Sequence, residues 1–216
     1  FWSYIQLNQE SVNFIVPSGN FGNIFSARVA MFMGLPIDRL HIVTNENDIL
    51  HRTISEGEMK INTVKKTYSP SMDIQVSSNF ERQLFESSNR NSELVQKIMK
   101  SFSKTGEQIL PDQIIQDLQL IYNTHTVSDS KTLETIKNFV EQYNYLADPH
   151  TATGLYVLNS ISTDKPIISL ACAHPAKFGS AIVEAINKEP SIPDKLNKVF
   201  DQNEKMTILD NDTNLI

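Results

Sequence analysis

The sequence predicts an α/β fold built on a doubly wound, mainly parallel sheet, and three observations point there. Short apolar runs at Asn13–Val16, Leu40–Thr44 and Pro166–Ala173 have the length of buried strands, and the last, PIISLACA, is apolar almost throughout, as a central parallel strand is. Each run is followed by a turn-forming loop and then by a stretch of helical hydrophobic period, the alternation that builds such sheets. The segments just past the three runs, GNFGN, TNEND and CAHPAKF, carry the glycines, amides and charges, at the strand ends where open sheets of this kind hold ligands.

Taken in order, Phe1–Gln9 reads as the tail of an amphipathic helix. The strand Asn13–Val16 stops at Pro17, which cannot extend a ladder. A helix follows over Ile24–Met33, with Gly34 placed to cap it and Pro36 preventing continuation. After Leu40–Thr44 the next helix spans Ile49–Glu56, with Asn47 or Asp48 as its cap. Lys60–Thr67 is polar and basic, a loop or edge segment; Ser69–Asp73 is turn chemistry, and Ser78 or Asn79 is placed to cap a helix over Phe80–Ser87. Apolar stripes then mark three helices, Asn91–Lys104, Asp112–Tyr122 and Ser130–Tyr145, with THTVS at Thr124–Ser128 a possible short strand between the last two. Asp148 and Pro149 have the residue types of an N-cap and first helical position, which makes His150 most simply a first-turn helix residue. Pro175 opens a helix to about Asn187, and Ser191–Phe200 reads as a last one. The expected organisation is an α/β domain over 1–78, a mostly helical insert over 79–145, and a return to the α/β domain with a C-terminal helix and tail over 146–216.

Composition narrows the function. The 216 residues suffice for one domain with a sizeable core. A net charge of −6, a pI near 5.4 and the lack of a dense Lys/Arg cluster argue against a nucleic-acid partner. The single cysteine, Cys172, excludes an internal disulfide framework. No apolar run is long enough to span a bilayer and the start lacks the regions of a signal peptide, so a soluble, cytoplasmic chain with no membrane partner is expected. No His/Cys/Asp cluster has metal-ligand spacing, and no nucleophile elbow occurs.

The chemistry concentrates in Asn13–Asn23, NFIVPSGNFGN. Strand, glycine-bearing turn and helix start together aim free backbone N–H groups and the positive end of a helix dipole at one point, which suits a phosphate. Glycine permits either close backbone approach or left-handed dihedrals there. No GK[ST] follows and no third glycine completes GxGxxG, so neither a Walker A loop nor a dinucleotide fingerprint is present.

PSGNFGN resembles the phosphate loop of the threonine synthases, pyridoxal-phosphate enzymes of fold type II, the tryptophan-synthase-β superfamily. So do GLPIDRLHIVTNENDIL at Gly34–Leu50, SPSMDIQVSSNFERQLFE at Ser69–Glu86, DPHTATG at Asp148–Gly154 and LACAHPAKF at Leu170–Phe178, in the family's order. The resemblance implies the large domain of that fold, pyridoxal 5'-phosphate as cofactor, and conversion of O-phospho-L-homoserine and water to L-threonine and phosphate. It implies that Gly19, Asn20, Phe21, Gly22 and Asn23 form the phosphate cup. It also places Cys172 where the family usually has a threonine against the pyridine nitrogen; a small buried strand residue is the competing reading of Cys172. Asn79 and Arg82, in the segment resembling SMDI…SSNFER, and Lys177, at a helix start beside the crevice, are candidates for an anionic substrate group, although a surface helix start accounts for each as well.

The chain opens on Phe1, and the resemblance covers only the family's C-terminal portion. The family's Schiff-base lysine lies in the preceding part, so no catalytic residue is expected in this chain, which is expected to need that N-terminal part as partner and to be inactive alone. Two alternatives remain at this stage: another fold type II lyase, such as a threonine dehydratase or a cysteine synthase, or a non-catalytic anion-binding module retaining the fold.

Overall fold

The computed structural model describes residues 11–195 and 202–212, so the expected helix at Phe1–Gln9 and the second half of that at Ser191–Phe200 lie outside the described residues. The elements run β1 (Val12–Pro17), α1 (Gly22–Phe32), β2 (Ile37–Thr44), α2 (Ile49–Glu56), β3 (Glu58–Lys60), a 3-10 turn at Pro70–Met72, α3 (Phe80–Ser87), α4 (Ser92–Thr105), β4 (Glu107–Ile109), α5 (Asp112–Ile121), β5 (Tyr122–Thr126), α6 (Asp129–Tyr143), α7 (Pro149–Val157), β6 (Ile167–Ser169), a 3-10 turn at Pro175–Phe178 and α8 (Gly179–Ile186).

The central sheet has the order β5-β2-β1-β6 and every pairing in it is parallel, while β3 and β4 form a separate antiparallel pair. Because strand side chains alternate between faces, the sheet buries two cores. Val16, Leu40, Ile42 and Tyr122 face one layer with Ile24 of α1, Leu50 and Ile54 of α2, Leu84 of α3 and Leu118 of α5. Ile15 and Val43 point the other way, toward Val127 and Val157, with Ile136, Ala152 and Ile182 of α6, α7 and α8 packed beyond. Helices on both faces of a parallel sheet give the doubly wound α/β architecture expected. No helix among the described residues is long and apolar enough to cross a membrane.

Three local expectations need correction. The run Pro166–Ala173 forms a strand only over Ile167–Ser169, half-buried and at the edge of the described sheet; Leu170 N–H still donates to Ile15 O, and from Cys172 the chain turns to the start of α7. Asp48 stands at the N-terminus of α2 without capping it; its carboxylate pairs with Arg52 Nε one turn on, at 2.9 Å. The strand glimpsed at Thr124–Ser128 begins two residues earlier, at Tyr122, whose buried ring belongs to the core and whose hydroxyl donates to Gln83 at 2.6 Å. The stretch 79–145 thus supplies α3 to α6 and, in β5, a strand of the central sheet.

Candidate functional site

The loop after β1 is fixed from both ends. Ser18 N–H donates to Val43 O at 2.9 Å, carrying the ladder one residue past the strand, and Ser18 Oγ accepts from Phe21 N–H at 3.1 Å. Phe21 has a left-handed backbone (φ 64°), an unusual conformation for a bulky residue. Its ring explains how that conformation is held: fully buried, it meets Phe80 and Tyr122 edge-on, with centroids 5.2 and 5.6 Å away. Burying an aromatic ring contributes roughly 1.5–3 kcal/mol, enough to offset left-handed strain of about 1–3 kcal/mol.

With Phe21 as the anchor, the neighbouring donors stay open. No side chain caps α1, and the N–H groups of Gly19, Asn20, Gly22 and Asn23 meet no acceptor among the described residues. All four residues line a cavity of about 230 Å³ shared with Pro17, Ser18, Ser71, Met72, His150 and Cys172. Gly19 is required by closeness rather than by dihedral: a Cβ there would stand 3.0 Å from Met72 Cα and 3.2 Å from the Ser71 carbonyl oxygen.

The Ser71–Met72 wall belongs to a long irregular segment, and buried amides hold it in place. Asn45, at the end of β2, donates to Thr67 Oγ1 and Asp73 Oδ1, each at 2.8 Å. Asn47 donates to Lys65 O at 2.8 Å and to Asp73 Oδ1 at 3.0 Å, and accepts from Lys65 N–H. Further along, Asn79 donates its backbone and side-chain N–H to Asn20 O, at 3.1 and 2.9 Å, and Ser78 Oγ lies 3.2 Å from Asn20 Oδ1. The TNEND segment therefore braces the loop that walls the cup.

The third wall comes from the start of α7. Asp148 Oδ1 accepts from His150 N–H (2.9 Å) and His150 Nδ1 (3.0 Å). Its Oδ2 accepts from Thr151 Oγ1 and from Ala173 N–H (3.1 Å), while Thr151 Oγ1 accepts from Cys172 N–H at 2.8 Å. Burial alone would raise the Asp148 carboxyl; the hydrogen bonds from His150, Thr151 and Ala173 outweigh it and hold the group below the usual carboxylate range. Cys172 opens on the cavity, but protein crowded around its sulfur, and then the Asp148 charge, push the thiol up to about 11. It keeps its proton at neutral pH.

The structure thus brings Gly19, Asn20, Gly22, Asn23 and Cys172 to one cavity. Phe21 shapes the cup from beneath, its ring in the core and its N–H on Ser18. Asn79 braces Asn20 without lining the cavity. Arg82 lies instead on a larger groove of about 870 Å³ between α3 and α4, its guanidinium 6.0 Å from the Phe25 ring. Lys177 is exposed, 5.6 Å from the ring of its neighbour Phe178. No Lys or Arg among the described residues lines the cup cavity. Sequence reasoning missed His150, a cavity residue with both ring nitrogens bonded. The one available signal was its place beside Asp148 in DPHTATG.

Comparison with known proteins gives a consistent picture. A family model described as threonine synthase, C-terminal, matches residues 151–216. A threonine synthase of Pseudomonas aeruginosa is 40 % identical over 205 residues, covering 94 % of this chain and 44 % of its own length. Among solved structures, a PLP-bound threonine synthase from Brucella melitensis superposes with a TM-score of 0.90 at 38 % identity, over 98 % of this chain and 46 % of that one. Yeast threonine synthase superposes with a TM-score of 0.85 at 33 % identity, over 94 % of this chain and 46 % of that one. The chain spans somewhat less than half the length of these relatives, and it shares the fold type II arrangement with the two solved structures.

Proposed function

We propose, from the premise that this chain is a C-terminal portion of the threonine synthase family, that its cup cavity binds the phosphate of pyridoxal 5'-phosphate. In the whole protein the site would serve conversion of O-phospho-L-homoserine and water to L-threonine and phosphate. The observation that carries the reading is the set of four N–H groups at Gly19, Asn20, Gly22 and Asn23, without acceptors among the described residues, around a cavity that Gly19 keeps open. This donor set suits a phosphate: a hydrogen bond to a charged acceptor contributes roughly 1.5–3 kcal/mol, and the α1 dipole adds about 0.3–2 kcal/mol. No cation is needed.

When bound, the cofactor supplies an electron sink that stabilises negative charge on the substrate carbons. The chain's own residues orient and tune it. The backbone of Gly19–Asn23 fixes the phosphate end. Cys172, at the β6 end of the same cavity, is the residue to meet the pyridine nitrogen, and a protonated thiol offers that nitrogen only a weak hydrogen bond. A weak neutral partner leaves the ring nitrogen largely unprotonated and restrains the sink. The lysine that carries the cofactor is assigned to the N-terminal part of the whole protein.

The test titrates inorganic phosphate and then pyridoxal phosphate into the protein while following the backbone amides of residues 18–24, and separately assays phosphate release from O-phospho-L-homoserine by the full-length protein. Shifts confined to the cup amides, together with turnover, support the proposal. Amides unmoved at high phosphate would sink the cup assignment, and turnover of a different amino-acid substrate would sink the reaction.

A further inference from the structure

His150 sits in the first turn of α7, a position that commonly faces solvent, yet it is only 4 % exposed. Both ring nitrogens are committed. Nε2 lies 3.1 Å from the backbone nitrogen of Ser71, and because an N–H can only donate, Nε2 presents its lone pair there. The ring proton is therefore on Nδ1, which donates to Asp148 Oδ1. Phe178 packs against the imidazole, centroids 4.5 Å apart and planes tilted by 52°.

The far end of this chain of contacts is the wall of the cup. Within the Pro70–Met72 turn, Met72 N–H donates to Ser69 O and Asp73 N–H to Pro70 O, but Ser71 N–H has no backbone acceptor among the described residues. Its anchor is His150, 79 residues away in sequence. The Ser71 carbonyl and Met72 Cα are the atoms crowding Gly19. Where this turn stands therefore decides how closely the wall approaches the Gly19–Asn23 donors.

We infer that His150 is a positioning residue for the anion site: Asp148 selects its tautomer, and the unprotonated Nε2 lone pair clamps the Ser71 N–H so that the Pro70–Met72 turn closes the cup. The inference rests on the cup reading above. The other oxygen of Asp148 works on the opposite side, through Ala173 N–H and through Thr151, which accepts from Cys172 N–H. One helix N-terminus therefore sets two walls of the cavity, and His150 serves the wall nearest the anion. His150 itself donates nothing to a bound anion, since its only proton points away toward Asp148.

Two measurements need no substitution. Imidazole ¹⁵N NMR of the protein should show a protonated Nδ1 and a bare Nε2 at His150, and the Ser71 amide should exchange slowly although the residue is exposed. The titration uses inorganic phosphate with His150→Leu and His150→Gln. Loss of one net hydrogen bond weakens binding by roughly 3–10-fold in His150→Leu and speeds Ser71 exchange, whereas the carbonyl of His150→Gln accepts the Ser71 N–H and keeps affinity within about threefold of the parent. The opposite tautomer, an unprotected Ser71 amide, or a folded His150→Leu that binds phosphate as the parent does would each overturn the inference. If His150→Leu fails to fold, the tautomer and the Ser71 exchange decide. A parent protein that binds no phosphate, while showing the expected tautomer and exchange, overturns the cup reading and upholds the clamp.

Discussion

Replacing Gly19 with alanine isolates what closeness contributes to the cup. The new Cβ would stand 3.0 Å from Met72 Cα and 3.1 Å from Ile74 Cδ1, with the Ser71 carbonyl oxygen at 3.2 Å. The isoleucine methyl can rotate aside, but two of the three neighbours are backbone, held by His150 through Ser71 N–H and by Asn45 and Asn47 through Asp73. Relief needs a shift of several tenths of an ångström in a braced turn. Overpacking of this kind costs about 1–3 kcal/mol, which for a chain of this size lowers the melting temperature by roughly 2–12 °C. Gly22→Ala is the matched control. Its Cβ would meet only Asn79 Nδ2, at 3.6 Å, at the first position of α1 and outside the left-handed region, so its effect on stability should stay within about 1 kcal/mol and can be favourable. Urea unfolding of both variants gives the stabilities, and phosphate titration reports whether the wall has moved. Gly19→Ala should lose stability and affinity together. A stable Gly19→Ala, or a Gly22→Ala that is the more damaged of the two, would refute the reasoning from close approach.

Three further outcomes follow from the same geometry. With its thiol near 11 against an ordinary 9.0, Cys172 should react with iodoacetamide about 100-fold more slowly at pH 8 than an unperturbed cysteine, and a fast reaction there would remove the crowding and the Asp148 charge as causes. His41 is lowered to about 4, by burial first and then by His125, whose Nε2 lies 3.1 Å from its Nδ1, and by Arg39. Its unfolded form takes a proton first, so stability is full above pH 6.5, falls by roughly 2–3 kcal/mol as pH drops toward 4 and levels off below; urea midpoints flat across that window would contradict it. Because no lysine among the described residues lines the cup cavity, borohydride reduction of this 216-residue chain after incubation with pyridoxal phosphate should label lysines only substoichiometrically; one lysine fully labelled, with phosphate released from O-phosphohomoserine, would place the catalytic lysine within it.

The architecture was legible because its signals are local. Apolar runs of strand length and stripes three and four apart report burial directly, and β1, β2 and most helices fall within a few residues of where those patterns end. The sequence misled where a residue's fate is settled by a distant partner. PIISLACA reads as a full central strand, yet β6 spans only Ile167–Ser169: Leu170 N–H makes one more bond to Ile15 O on β1, and beyond it Thr151 and Asp148 capture Cys172 N–H and Ala173 N–H. Asp48 has the right chemistry to cap α2, but Arg52 is within reach one turn along and takes its carboxylate. Ser78 and Asn79 look like helix caps and prove to be struts under Asn20.

The same distinction divides the candidate site. The proposed cup uses backbone, so five consecutive residues suffice to suggest it: any anion-binding turn of this kind needs open N–H groups, a helix behind them and no Cβ in the way. Even so, sequence alone could not say which residue takes the left-handed conformation. The glycines suggest themselves, but Phe21 takes it, because a ring driven into the core between Phe80 and Tyr122 is what pulls the turn shut. The walls use side chains whose partners lie far off in the chain, 79 residues from Ser71 to His150 and 28 from Asn45 to Asp73. Nothing in the spacing of SPSMDI discloses that its serine N–H waits for a histidine. Four of the five segments that resemble the family line the cavity, and the fifth, TNEND, stands one layer out, where Asn45 and Asn47 reach Asp73. A cup formed by one loop can bind an anion anywhere in its mouth. Only a wall fixed from outside, through Asp73 on one side and His150 on the other, can set which end of a ligand points toward Cys172.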